Sequence, residues 1–172
     1  MKILHDNEQY YLLRKTNLCP FCLIITSLLF LYLFNAPSQG NAETCPPTEL
    51  DVLGPFYKPG SPERSGVGKG YVLGGKVKSS IDCSPLKGAK IEFWLAGPDG
   101  RYGDDFRATV ISGKSGDYHF ESHFPPSYAS RPPHIHIRVS ASGYRALVTQ
   151  HYPQKDTKEG HFDLVLIPEN QR

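Results

Sequence analysis

The feature that most restricts the fold of this chain is a series of short alternating or β-branched runs beginning near residue 71. Apolar side chains at every second position are typical of strands with one buried face. No stretch of ten or more residues in this region has the period of a helix. The pattern predicts seven strands, at Tyr71–Lys78, Lys90–Ala96, Arg107–Ile111, Asp117–Ser122, His134–Ser140, Ala146–Tyr152 and Phe162–Ile167.

Turn residues separate these runs. Pro98–Gly100, Gly113–Gly116 and Ser142–Gly143 have the compositions that tight turns require. Strands at this spacing are typical of two packed sheets. The segment Cys45–Gly70 is rich in proline and glycine and is predicted to be an extended arm that lies over the sheets. We therefore predict an all-β fold, a two-sheet β-sandwich with an extended N-terminal arm.

The N-terminal segment has the features of a targeting signal. Phe21–Phe34 contains 14 residues without a charge, and a helix of this length spans about 21 Å, less than the roughly 30 Å of a bilayer core. Arg14 and Lys15 precede it, and the small residues Gly40 and Ala42 follow it. This order is typical of a cleaved signal peptide.

Two interpretations of this leader remain open. In the first, residues 1–42 are a signal peptide cleaved before Glu43, and residues 43–172 form one sandwich domain. In the second, residues 18–34 are retained as a membrane anchor. In both cases we expect an exported domain, periplasmic or secreted, that meets a membrane only if the leader is uncleaved.

The four cysteines divide by location. Cys19 and Cys22 lie inside the leader, without the βαβ context of a redox motif. Cys45 and Cys83 are the only two cysteines in residues 43–172. An exported chain with two cysteines favours one disulfide bond, which would tie the arm to the first hairpin. Two unpaired buried thiols are the alternative.

The charge balance argues against one class of partner. The chain has 19 Lys and Arg residues against 17 Asp and Glu residues, a net charge of +2. Nucleic-acid binding is typical of strongly basic surfaces, so we expect no nucleic acid partner.

A His-x-His pair is the first chemical signal. Residues i and i+2 of a strand share a face, so His134 and His136 point the same way and Ile135 points into the opposite layer. Two neutral imidazoles on a rigid strand are half of a metal site. The pair alone does not decide, because two solvent-facing polar residues on an alternating strand have the same pattern.

Two tyrosines fall in loops that could meet this pair. Tyr102 follows the turn at Pro98–Arg101, and Tyr128 lies six residues before His134, between two proline pairs. Binding residues are commonly found on loops at strand ends. For each tyrosine taken alone, the alternative is a rim or core aromatic residue.

These pieces occur together in one known family. The segments LGPFY, IEFWLAGPDGRY, DYHFESHFPPSY, RPPHIHIRV and ALVTQHY, in this order from about Leu53 to Tyr152, resemble the intradiol ring-cleavage dioxygenases. That family includes the catechol and protocatechuate dioxygenases, and the resemblance implies their prealbumin-like β-sandwich. It also implies one Fe(III) per chain, held by Tyr102, Tyr128, His134 and His136.

The resemblance implies an activity as well. A catechol-type diol would bind the iron, react with O₂ and open between its two hydroxyl-bearing carbons to a muconate-type diacid. Tyr128 would leave the metal and accept a substrate proton, Arg131 would stabilise developing charge, and Gln150 would hydrogen-bond in the oxygen pocket. Tyr57 would contact the substrate or serve in packing. The Tyr128-to-His134 spacing is short for the family, which predicts a more open pocket.

The donor set itself favours ferric iron. A trivalent cation strongly lowers the phenol pKa from about 10, so two tyrosines suit it as phenolates. Zinc usually draws on Cys, His or carboxylate ligands. Two other functions remain open: a non-catalytic exported β-sandwich binding module, and a copper or zinc protein that uses only His134 and His136. The substituents of the substrate and the oligomeric state remain open too.

Overall fold

The structure is a computed structural model that describes residues 45–170. The expected leader at residues 1–42, its anchor alternative at residues 18–34 and the Cys19 and Cys22 pair lie outside the described residues. Between residues 45 and 170, no helix has both the length and the apolar character that crossing a membrane requires.

The described residues form eight strands. In chain order these are β1 (Tyr71–Ser79), β2 (Lys90–Trp94), β3 (Arg107–Ile111), β4 (Asp117–Ser122), β5 (Ile135–Ser140), β6 (Leu147–His151), β7 (Glu159–His161) and β8 (Leu164–Leu166). One short 3₁₀ turn, Asp104–Phe106, precedes β3. The predicted all-β class is therefore confirmed.

The strands pair into two four-stranded sheets. Sheet one has the order β4-β1-β7, with β8 also paired to β1, and sheet two has the order β3-β2-β5-β6. Strands β7 and β8 run parallel to β1, and all the other pairs are antiparallel. Phe93 of sheet two stacks on Phe120 of sheet one, with ring centroids 4.2 Å apart. The two sheets thus pack as the predicted sandwich.

Alternation along the strands decides which side chains fill the space between the sheets. Ile91 and Phe93 of β2 and Ile135 and Ile137 of β5 are fully buried there. Burial of such a side chain stabilises the fold by about 1.5–3 kcal/mol. The intervening positions of β2 and β5 therefore point to the outer face of sheet two, where the candidate site lies.

The last predicted strand, Phe162–Ile167, is wrong in its extent. The structure has β8 there and a separate short strand β7 before it. Tyr118 donates a hydrogen bond to the carbonyl oxygen of Phe162 at 2.6 Å, and a Cβ on Gly75 would collide with that same oxygen. The chain between β7 and β8 is therefore bent against β1, an arrangement set by distant residues and not by local alternation.

The arm lies along both edges of sheet two. Asp51 donates its backbone N–H to Val148 of β6 at 2.9 Å, and Thr109 of β3 donates to Pro62 at 2.8 Å. The disulfide bond expected between Cys45 and Cys83 is present, with Cα atoms 5.2 Å apart. The arm is therefore fixed by the disulfide at its start and by backbone hydrogen bonds along its length.

Candidate metal centre

The register of sheet two assembles the centre of the site. His136 of β5 lies opposite Trp94 of β2 on one side and opposite Gln150 of β6 on the other. His134 directly precedes β5, and its ring centroid lies 4.7 Å from that of His136. As the His-x-His spacing predicts, both imidazoles are on the outer face of the sheet, and both are buried.

Three side-chain atoms converge at one point. The Nε2 atoms of His134 and His136 are 3.2 Å apart, and the hydroxyl oxygen of Tyr102 lies 3.3 Å from each of them. Donor atoms bound to one ion at about 2.1 Å lie roughly 3 Å apart, so this triangle has the size of one face of a coordination shell. Within residues 45–170, no three His, Cys, Asp or Glu side chains form a possible metal site. The third donor at this point is the phenol oxygen of Tyr102.

The two imidazoles are held in different ways. Nδ1 of His134 lies 2.7 Å from the carbonyl oxygen of Pro132, so Nδ1 carries the proton and the lone pair of Nε2 faces Tyr102. Nδ1 of His136 is buried and has no hydrogen-bond partner in the described part of the chain. The nearby carbonyl of Val52 raises the His136 pKa but lies outside hydrogen-bonding geometry.

His136 is neutral at neutral pH. Burial lowers its pKa to about 4, and electrostatic interaction with His134 and Arg131 acts in the same direction. A neutral imidazole offers a lone pair on one ring nitrogen, which is the form that binds metals.

The two candidate tyrosines come from different loops, and their rings meet; Tyr102 is the one whose hydroxyl reaches the histidines. Phe56 of the arm stacks on Tyr102, with centroids 4.2 Å apart and planes 13° apart. Tyr128 packs edge-on against Tyr102 at 5.3 Å. Burial, with a contribution from Tyr128 and opposition from Arg131, raises the pKa of Tyr102 to about 12. Tyr102 therefore stays protonated until a cation neutralises its phenolate.

A two-residue hairpin loop places Tyr128 beside Arg131. The backbone N–H of Arg131 donates to Tyr128 at 2.9 Å, and that of Tyr128 donates back at 3.3 Å. Ala129 has a φ of +50°, in the left-handed region that few non-glycine residues adopt. The loop residues Ser127, Ala129 and Ser130 are exposed, so the hairpin lies at the rim of the site.

Arg131 and Gln150, both singled out from the sequence, contact each other. Nη2 of Arg131 donates to Oε1 of Gln150 at 2.9 Å and to the Tyr152 hydroxyl at 2.6 Å. Tyr152 in turn donates to Asp51 of the arm at 2.8 Å, and Gln150 donates to the Val52 carbonyl at 2.6 Å. Sequence reasoning missed Tyr152 and Asp51. For Tyr152 a signal existed, because it lies two residues after Gln150 and so shares its face.

Tyr57 does not pack on His136 itself but on Trp94, which stacks on His136. Its hydroxyl donates to Glu92 at 3.2 Å, and its ring packs against Trp94 at 5.1 Å. Trp94 stacks on His136 at 4.9 Å with nearly parallel planes. Of the two roles expected for Tyr57, the structure shows a packing contact.

A cavity of about 120 Å³ adjoins Tyr102 and is lined by Pro55, Phe56, Lys58, Gly103, Asp104 and Arg107. In the region covered by the structure, none of its walls comes from the histidines or Arg131. Of the three converging side chains, this cavity therefore adjoins Tyr102 alone.

Comparison with known proteins identifies relatives. The sequence model of the protein family described as Dioxygenase matches residues 60–165. Catechol 1,2-dioxygenase from Candida albicans is 32% identical over 143 residues, which are 61% of this chain and 46% of that protein. The 6-chlorohydroxyquinol 1,2-dioxygenase from Cupriavidus pinatubonensis is 28% identical, over 70% of this chain and 55% of that protein. The chain thus spans about half the length of these curated relatives.

Solved dioxygenase structures have the same fold as this chain. The dioxygenase domain of a dioxygenase and carbohydrate-binding protein fusion from Streptomyces sp. SirexAA-E has a TM-score of 0.65 and 28% identity, and the match covers 72% of this chain and 99% of that domain. Wild-type catechol 1,2-dioxygenase from Acinetobacter radioresistens has a TM-score of 0.63 at 21% identity, over 87% of this chain and 71% of that one. The second likeness shows the fold alone.

Proposed function

Because the chain belongs to the intradiol ring-cleavage dioxygenase family, we propose that it is an iron(III)-dependent intradiol dioxygenase. Its substrates are a catechol-type aromatic diol and O₂, both atoms of which enter the product. The ring opens between the two hydroxyl-bearing carbons to a muconate-type diacid. The observation that carries the proposal is the convergence of the Tyr102 hydroxyl with Nε2 of His134 and His136 at 3.2–3.3 Å.

The side chains at this point fit ferric iron. Tyr102, Tyr128, His134 and His136 would hold one Fe(III) per chain, and two neutral imidazoles with two phenolates suit a hard trivalent cation. Bound there, ferric iron would supply the charge that ionises the phenols and binds both diol oxygens, making the ring electron-rich enough to react with O₂. The raised pKa of Tyr102 supports this assignment, since only a strongly charged ion would ionise that phenol at neutral pH.

The two tyrosines have different roles: Tyr102 stays a ligand, and Tyr128 accepts a proton. Tyr102 is fixed beneath the Phe56 ring and touches both imidazoles, so it serves as a permanent ligand. Tyr128 lies on the rim hairpin, where its side chain can turn away from the histidines. A released phenolate is a competent base, so Tyr128 accepts the proton of an incoming diol hydroxyl.

Arg131 provides positive charge where the ring becomes anionic. Its guanidinium is held at two points, by Gln150 and by the Tyr152 hydroxyl. A donor that is fixed before the reaction stabilises developing negative charge by several kcal/mol more than mobile water does. Gln150 is buried and is anchored through Val52, so it orients Arg131 and lines the space beside the diol.

Metal analysis combined with oxygen uptake tests the proposal. Protein produced from the full chain should retain about one iron, show a visible phenolate-to-iron absorption band and consume O₂ with catechols. His136→Ala should lose the band, whereas His119→Ala, an exposed histidine of β4, should keep it. Colourless protein after iron loading, or full occupancy by zinc or copper, would contradict the assignment. No oxygen uptake with any catechol would favour a binding module instead.

We also propose that the domain acts outside the cytoplasm. The Cys45–Cys83 disulfide supports this location, because such bonds persist in oxidising compartments. N-terminal sequencing of the protein from its native source should begin at Glu43. A chain that keeps residues 18–34 and fractionates with membranes would indicate an anchor, and a reduced cytoplasmic chain would contradict export.

A further inference from the structure

We propose that Trp94 and the backbone at Gly54 hold the His136 imidazole in its ligand orientation, in place of the hydrogen bond that this ring lacks. Trp94 covers one face of the ring, and Gly54 closes its Cε1 edge. The inference rests on the proposed function in one respect, which is that the oriented Nε2 atom serves a metal.

The two candidate histidine ligands differ in the hydrogen bonding of Nδ1, so their rings must be oriented in different ways. A ligand imidazole normally donates its second N–H to a carbonyl or carboxylate, which fixes both the ring plane and the tautomer. His134 follows this rule through Pro132 at 2.7 Å. His136 does not, since its Nδ1 makes no hydrogen bond of acceptable geometry within residues 45–170, although the Val52 carbonyl is near. The torsion about the Cβ–Cγ bond of a histidine is broad, so the ring plane of His136 must be set by packing.

Trp94 supplies the packing on one face. Its indole lies parallel to the His136 ring, with planes 5° apart and centroids 4.9 Å apart, and only 2% of the residue is exposed. Its Nε1 atom has no hydrogen-bond partner within the residues described. An unpaired buried N–H is unfavourable, so Trp94 contributes through its flat surface and not as a donor.

The arm supports Trp94 from behind. Tyr57 packs on the indole at 5.1 Å, and its hydroxyl is held by the buried carboxylate of Glu92. Arg138 pairs with the same carboxylate at 3.0 Å. The indole is therefore fixed between the histidine ring and an anchored arm residue.

Gly54 closes the edge of the ring. A Cβ atom at this position would lie 2.9 Å from Cε1 of His136, closer than real Cβ contacts come. Gly54 also has a φ of +74°, which L side chains rarely adopt. The carbonyl of Val52, two residues earlier, accepts a hydrogen bond from Gln150, so this part of the arm is held against the sheet. The segment Leu53–Tyr57 thus makes two contacts. Gly54 lies against the edge of the His136 ring, and Tyr57 packs on the Trp94 indole.

A matched pair of glycine variants isolates the edge contact. Gly60 lies in the same arm with a φ of +78°, and a Cβ there would meet nothing within 4 Å. Gly54→Ala and Gly60→Ala therefore introduce the same backbone strain, and only the first displaces His136. We expect iron in Gly54→Ala to transfer to a chelator at roughly 10- to 100-fold lower chelator concentration than in wild type, and iron in Gly60→Ala at about the wild-type concentration.

A second pair isolates the face contact. Trp94→Phe keeps a flat surface and should retain iron and its visible band. Trp94→Leu should lower iron retention by roughly 10- to 100-fold and shift the band. In the metal-free proteins, the NMR signal of the His136 Cε1–H should lose its aromatic ring-current shift in Trp94→Leu only, and the His134 signal should change less.

The outcomes separate this inference from the proposed function. If wild type binds no iron, the proposed function fails, and the ring signals of the metal-free variants still test the orientation of His136. If Gly54→Ala, in which the indole is intact, keeps the His136 signal of wild type, and both Gly54→Ala and Trp94→Leu keep its iron retention, the inference is wrong. If Trp94→Leu does not fold, the two glycine variants decide.

Discussion

At the residue scale, the side chain that connects most of the polar groups is Tyr152. Its hydroxyl accepts from Arg131 at 2.6 Å and donates to Asp51 at 2.8 Å, across 101 positions of sequence. It is 40% exposed, yet it joins the arm to the guanidinium of Arg131. Its effect on the reaction is therefore indirect, through the position of Arg131.

Tyr152→Phe removes the hydroxyl contacts to Arg131, Asp51 and Gln150 and leaves the ring. Hydrogen bonds to a charged group are worth about 1.5–3 kcal/mol, so we expect kcat with catechol to fall roughly 10- to 100-fold while iron content stays unchanged. The control is Tyr144→Phe, since the Tyr144 hydroxyl has no hydrogen bond within residues 45–170. Iron loss in Tyr152→Phe, or wild-type kcat, would contradict the role.

The two ligand tyrosines should respond differently to loss of the hydroxyl. Tyr102 is stacked by Phe56 and lies 3.3 Å from both Nε2 atoms, so Tyr102→Phe should lose iron readily. Tyr128→Phe should keep iron on three protein ligands, with an altered absorption band, and should bind catechols but turn them over slowly. Chelator competition and single-turnover kinetics measure the two effects. The assignment is wrong if Tyr102→Phe retains iron better than Tyr128→Phe.

At the element scale, a hydrogen bond between side chains joins the two sheets at one end. The hydroxyl of Tyr71 of β1 and Nε2 of His151 of β6 share a hydrogen bond of 2.7 Å. A Cβ on Gly160 of β7 would collide with the Tyr71 hydroxyl, so β7 packs directly over this bond. Burial lowers the pKa of His151 from 6.5 to about 4, because the charged ring would lose its hydration.

This depressed pKa makes stability depend on pH. The unfolded chain binds a proton at His151 near pH 6.5 and the folded chain only near pH 4, so the contribution is complete above pH 6.5 and disappears as the pH falls to 4. A shift of this size corresponds to about 3 kcal/mol, reduced to about 2 kcal/mol because the ring is partly exposed.

Unfolding by urea at pH 7.5 and pH 5 checks this prediction. Metal-free wild type should lose more stability between the two pH values than His151→Gln does. His136 titrates in both proteins, so its contribution cancels in the comparison. Equal losses in the two proteins would mean that His151 has an ordinary pKa in the fold.

Local patterns predicted the strands that have a buried and an exposed face, and long-range contacts decided the rest. The predicted bounds of β3 and β4 agree with the structure residue for residue, and β4 alternates between exposed and buried positions over most of its length. Strand β7, Glu-Gly-His, has no β signature, because its position depends on Tyr71 and His151 below Gly160. Likewise the shared face of His134 and His136 follows from local spacing. The loop positions of the two tyrosines made them candidates, but only the resemblance to a family implied that they are ligands. The Tyr57–Glu92 and Tyr152–Asp51 contacts have no local signal at all.

At the scale of the whole molecule, the arm and its disulfide control how firmly the site is closed. The arm supplies Asp51, Gly54 and Phe56 to the surroundings of the three converging donors. Its start is fixed by Cys45, which is bonded to Cys83 at a sequence separation of 38 residues. Stability and site geometry are therefore coupled through one covalent bond.

Cys45→Ser combined with Cys83→Ser should weaken both. The chain-entropy relation gives about 4 kcal/mol for a loop of this length, and we expect a loss of roughly 2–4 kcal/mol in the free energy of unfolding. Iron retention should fall with it, because the arm residues beside His136 and Tyr102 are less firmly placed. Urea titration and chelator competition on the double variant measure these effects. Unchanged iron retention would show that the hydrogen bonds to Val148 and Thr109 hold the arm alone.

The backbone pairing of the arm with β3 and β6 has a consequence outside catalysis. These are the two edge strands of sheet two, and the arm occupies backbone groups at Thr109 and Val148 that would otherwise be open. Exposed strand edges recruit strands from other molecules and seed aggregates. The segment that covers the His134 and His136 face thus also stops the sheet from growing, so damage to the arm would open both edges of sheet two to other molecules.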